Sequence, residues 1–164
     1  DEFSVKIEGD KDGVQIIRTG DKLTLTTSGK PTNGKVKVLI GAHTFTELYA
    51  DNTGPVTIRG FEEGRASITA KGKSAVKAYL DVSNSLEVLL SGESTLDLSG
   101  DGGELEVTLN DSAKLEASNW KASRAQITAS DNSKARVYGR DHVKIKSSDA
   151  SDVKVEGSAE VERD

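Results

Sequence analysis

The sequence predicts an all-β protein, a single-stranded right-handed parallel β-helix with rungs of about 20 residues. Three observations carry this expectation. A strand-turn-strand phrase is written four times, at residues 86–98, 105–117, 125–137 and 143–155. Turn markers on Gly92, Asp111, Asp131 and Asp149 are spaced by 19, 20 and 18 residues, and looser copies put earlier markers on Gly72 and Asp51. Apolar residues alternate with polar ones on both sides of every marker, and such alternation places one face of each strand in a core. Handedness follows from the rule that parallel crossovers are right-handed.

Steps of two from the marker define the inward columns. Four residues before it stand Ile68, Val88, Val107, Ile127 and Ile145, with Glu47 interrupting the column in the earliest copy. Four residues after it stand Val76, Leu96, Leu115, Ala135 and Val153. Helical spacing would interleave these residues with the charges of the outward rows, such as Lys77, Asp97, Glu116, Arg136 and Lys154. The marker itself is Gly or Asp because a tight corner favours the left-handed backbone, which glycine enters freely and Asp tolerates. A small residue recurs two positions later: Thr53, Ser74, Ser94, Ala113, Ser133 and Ser151. This column reads as hydroxyls that satisfy corner backbone groups. No serine in it is singled out as a nucleophile.

Before the repeats, residues 1–44 read as strands that open or cap the stack, and residues 45–164 as one continuous β-helix. Strands are expected around Val5, Ile16, Leu23 and Val38, with a hairpin-like corner at residues 19–22. Pro55 follows the first marker, so that copy is expected to be bent or slipped by one position. Residues 81–84, 100–103, 119–122 and 139–142 read as links of variable length, and the Gly-rich 100–103 segment as a flexible one.

Composition narrows the function. Aromatic content of 4% and charged content of 30% suit a thin aliphatic core. A formal charge of -5 argues against nucleic acid as a partner. There is no cysteine and hence neither a disulfide framework nor a thiolate metal site. No signal peptide, membrane-spanning run or lipidation motif stands in the chain, as expected of a mature segment whose targeting sequence has been removed. His43 and His142 lie far apart, neither in a metal-ligand spacing, and His142 reads as an exposed loop residue. No catalytic, metal or cofactor-binding residue is assigned.

Leu90-Ser-Gly-Glu-Ser94, set between Leu86-Glu-Val88 and Leu96-Asp-Leu98, resembles the repeated strand, Ser-Gly turn and strand of the head GIN domain family. Residues 34–60 resemble its opening strands and residues 153–161 its ending, so the likeness covers most of the chain. The turn glycine of that family is replaced here by Asp111, Asp131 and Asp149. The resemblance implies a right-handed β-helix of auto-transporter adhesin type, exported to the cell envelope (periplasm or outer surface) and common in the Bacteroidetes.

Two features draw a functional expectation. Trp120 is the only tryptophan and lies in a polar link beside Lys121; one copy further stand Tyr138 and Arg140. Aromatic and basic residues together can stack on sugars or hold acidic groups, so Trp120, Lys121, Tyr138 and Arg140 are the expected ligand contacts. For Trp120 taken by itself, a hydrophobic lid against the neighbouring rung is the preferred reading. The second feature is the aspartate column, whose carboxylates either bond to backbone amides or hold a cation, the local bond being preferred. The function expected is noncatalytic binding of glycan or protein through an exposed sheet or loop edge. A carbohydrate-active enzyme on the same scaffold is the alternative.

Overall fold

The computed structural model describes residues 4–8, 14–27, 37–41, 46–59, 64–148 and 150–164. Thirteen strands and no helix form these residues, in a β-solenoid of about six turns with parallel bridges about 20 residues apart. His43, Phe45, Asp149 and the turn clusters at 9–13 and 28–34 lie outside the described residues.

The stack begins with antiparallel pairs. β1 (Ser4–Glu8) pairs with β4 (Lys37–Gly41), and β2 (Val14–Thr19) pairs with β3 (Lys22–Thr27) across a two-residue turn. Gly20 in that turn has φ 59°, which explains the glycine there. Val5, Ile7, Val14 and Ile16 pack against the core. All later pairings are parallel. β3 lies beside β5 (Glu47–Asp51), β5 beside β7 (Arg65–Lys71), and β4 beside β6 (Pro55–Arg59).

The four strands β8 (Ala75–Leu90), β9 (Thr95–Leu109), β10 (Lys114–Ala129) and β11 (Lys134–Ser147) are long. The first half of β8 pairs with β6 and its second half with β7, so a single strand serves two ladders. The segments expected to be links are therefore paired backbone, bent at register shifts such as Val82/Ser85 and Glu116/Asn119. Residues 100–103 also belong to β9, which corrects the flexible link. β12 (Asp152–Gly157) and β13 (Glu160–Arg163) pair with the two halves of β11.

The inward columns stack as read. Ile68, Val88, Val107, Ile127 and Ile145 are register partners rung by rung, all buried. Each such side chain contributes roughly 1.5–3 kcal/mol of burial. In the earliest rung the register moves by one. Leu48, not Glu47, lies beside Ile68, and the left-handed corner falls on Asn52 (φ 50°) rather than Asp51. Asn52 then lines up with Gly72, Gly92, Asp111 and Asp131, all of positive φ.

Candidate functional site

The corners use their polar residues to fasten one rung to the next. The backbone N–H of Gly92 donates to Asp111 Oδ2 (2.9 Å), and that of Asp111 to Asp131 Oδ2 (3.1 Å). In the first rung the N–H of Lys73 donates to Asn52 Oδ1 (3.1 Å). The Asp111 and Asp131 carboxylates do bond to backbone amides, across the rung rather than within their own turn. Behind them, Ser74, Ser94 and Ser133 are buried, and their hydroxyls donate to carbonyls of Lys71, Ala70 and Ser130. Among the described residues no cluster of three or more His, Cys, Asp or Glu has the geometry to hold a metal.

The four expected ligand contacts separate into two environments. Trp120 is wholly buried, and its Nε1–H donates to the carbonyl of Leu80 two rungs away (2.9 Å). Gly100 and Gly102 stand beside Trp120 and Ala122 in the ladder, and a Cβ on Gly102 would collide with the indole ring. Gly102 thus opens the space that the ring fills, while a Cβ on Gly100 would meet the Leu80 carbonyl instead. Trp120 belongs to the buried core, which is the preferred lid reading carried to full burial, and no stacking surface is offered to solvent.

Lys121 is exposed and lies beside Tyr138 on the next strand and Asp101 on the previous one. Arg140 reaches across two rungs to bond Asp101 Oδ2, while the Asp101 N–H donates to Asp81 Oδ1 (2.9 Å). Asp81, Asp101 and Arg140 border a shallow depression of about 490 Å³ that also includes Ser83 and Ser123, while Lys121 and Tyr138 are not part of its lining. His142, expected in a loop, lies in β11 with Nε2 3.5 Å from Glu162.

The larger concavity lies elsewhere. A groove of about 530 Å³ crosses β6, β8, β9, β10, β11 and β12 on the strand halves that follow the corner. One wall is the outward row Pro55, Ala75, Thr95, Lys114, Lys134 and Asp152. The other is Thr57, Lys77, Asp97, Glu116, Arg136 and Lys154. Between them the floor is strand backbone, because the intervening Val56, Val76, Leu96 and Leu115 point into the core. Six strands at a spacing of about 4.8 Å give the groove an axial length of roughly 24 Å.

The second wall pairs its charges along the axis: Lys77 with Asp97 (3.9 Å), and Arg136 with both Glu116 (3.8 Å) and Glu156 (3.9 Å). Beside it Arg59 stacks over the ring of Tyr79 at 4.1 Å. The Tyr79 oxygen and then the Asp97 carboxylate hold the Lys77 ammonium above the ordinary lysine range. Sequence reasoning saw the charged row but not the trough or the Arg59–Tyr79 pair. The signal was present in the small residues Ala75 and Thr95, which keep the first wall low at that end.

Among the described residues no helix is long and apolar enough to cross a membrane. Neither a curated protein nor a solved structure gives a significant match to this chain. A family model described as "Putative auto-transporter adhesin, head GIN domain" matches residues 1–159. With the solenoid and its stacked corners in place, that match over nearly the whole sequence shows that the chain belongs to the head GIN domain family.

Proposed function

We propose that this head GIN domain protein is a noncatalytic, exported protein of the cell envelope that holds a glycan or surface protein in its axial groove. The carrying observation is the groove itself, a trough spanning six strands on rigid, fully paired backbone. Contacts repeated at each strand suit a polymer or an extended surface better than a small molecule. The adhesin description of the family supports the same reading. The depression bordered by Asp101 and Arg140, with Lys121 and Tyr138 on neighbouring ladder positions, is a secondary contact region in this proposal, and Trp120 packs against Gly102 beneath it.

For a hydrolase or lyase, two carboxylates or a carboxylate and a base would face a shared gap. Asp97 and Glu116 instead sit against Lys77 and Arg136, which favours recognition over chemistry.

A ligand-independent test is to fill the trough. Thr95→Trp places a large ring on the exposed first wall without touching the core. Binding to a glycan array and to cell surfaces is expected to fall at least tenfold, with the melting midpoint unchanged. Undiminished binding by the filled variant would place the contact surface elsewhere. Release of reducing ends or unsaturated sugars from any glycan by the purified protein would move it to the enzyme class.

A further inference from the structure

The ion pairs of the groove leave positive charge over. Lys77, Lys114, Lys134, Arg136 and Lys154 line it, against the carboxylates of Asp97, Glu116 and Asp152. The groove is thus net positive on a chain whose formal charge is -5. Only Lys77 and Arg136 of these cations are ion-paired; Lys114, Lys134 and Lys154 have no ion-pair partner among the described residues. The ladder even sets like charges on neighbouring strands, Lys114 beside Lys134 and Arg136 beside Lys154. Like charges directly opposite one another destabilise a sheet. Such a local conflict, retained on an otherwise consistent scaffold, is where a binding partner's charge is expected.

Taking the groove to be the binding surface, we propose that its ligand is a linear acidic polysaccharide carrying a carboxylate or sulfate on its repeating sugars. It lies along the solenoid axis with its anions over Lys114, Lys134 and Lys154. Charges repeated at strand spacing match a polymer with repeated charge, and lysines on long stems act as adaptable point charges rather than as a rigid fork. An acidic peptide is disfavoured by geometry. Extended peptides gain affinity by adding a strand to a sheet edge, whereas this groove runs across the strands and its floor amides already serve the ladder. Single-stranded nucleic acid is disfavoured because, among the described residues, no aromatic side chain lines the groove to stack a base.

The test measures binding of immobilised polygalacturonate, dextran sulfate, neutral dextran, polyglutamate and a single-stranded oligonucleotide. Three proteins are compared: the wild type, the triple variant Lys114→Gln/Lys134→Gln/Lys154→Gln, and a control triple Arg65→Gln/Lys71→Gln/Lys146→Gln of equal charge change. Wild type and control are expected to bind polygalacturonate, dextran sulfate or both, more tightly at low salt. The groove triple is expected to lose at least tenfold in affinity while melting at the same temperature or higher. Preference for polygalacturonate or for dextran sulfate identifies carboxylate or sulfate as the anion. Equal loss in the control triple would reduce the effect to net charge and overturn the proposal. Binding of polyglutamate or the oligonucleotide as tight as that of the acidic glycans would overturn it too. Groove-dependent binding of neutral dextran would sink the acidic ligand but keep the groove as a binding surface. No binding to any probe or to cell surfaces would remove both.

Discussion

At the scale of single residues, Trp120 and the corner aspartates show how side chains bind one rung to another. The indole fills the space above Gly102 and spends its one donor on the Leu80 carbonyl. Trp120→Ala removes a large buried ring and is expected to cost about 3–5 kcal/mol. Gly102→Ala forces a methyl group into that ring and is expected to cost about 1–3 kcal/mol. Urea denaturation followed by circular dichroism measures both. Asp131 combines a left-handed backbone (φ 58°) with a carboxylate that accepts the Asp111 N–H. Asp131→Ala loses the acceptor and strains the corner, an expected cost of about 1–2 kcal/mol. Asp131→Asn keeps both properties and is expected to stay within about 0.5 kcal/mol. With these carboxylates already bonded to amides, calcium should leave the melting midpoint unchanged. The aspartate corners were legible because few residues tolerate that backbone. The covering role of Trp120 was legible too, but not its full burial, because its neighbours Ser118, Asn119 and Lys121 are polar and a register shift turns the ring inward. The glycines about 20 residues earlier were the available clue.

Elements obey the period wherever strands are regular. From Ala66 to Val153 the inward columns could be read directly, since alternation and a fixed rung length leave one register that buries the apolar face. The first rung departs by one residue at Asn52, and the expected slip near Pro55 anticipated a departure there without locating it. The links were misjudged because Gly, Asn and Asp mark loops in most sequences, yet here they occupy bends in continuous strands. The last strand, β13, is held by charge more than by burial. All four of its residues are exposed, and Lys144 lies 3.4 Å from Asp164 and 3.5 Å from Glu162. Asp164 and then Glu162 hold the Lys144 ammonium above its ordinary range. A raised folded-state pKa means that the contribution is complete below the ordinary lysine range and is lost as pH rises through the folded value. NMR of the Val161 methyls should therefore report an ordered β13 at neutral pH and fraying beyond the lysine range. Lys144→Ala should show the same fraying already at neutral pH, with the midpoint of global unfolding unmoved. A β13 that stays ordered in Lys144→Ala would show that backbone pairing with β11 suffices.

For the whole molecule, stacking turns a 20-residue phrase into a surface that no single rung possesses. Antiparallel β1 and β2 cover one end of the ladders, while the corners line up along one side and the groove along another face. The sequence displayed the outward charged rows but not the trough between them, because a concavity depends on how neighbouring strands curve. The central claim is that this groove is where the protein meets its ligand. Amide chemical-shift mapping on titration with hexagalacturonate tests it most directly. The account predicts the largest changes on the two walls, centred on Lys114, Glu116, Lys134, Arg136 and Lys154, with smaller ones at the depression beside Asp101 and Arg140. Changes clustered instead at that second depression, or an absence of saturable changes anywhere, would contradict it.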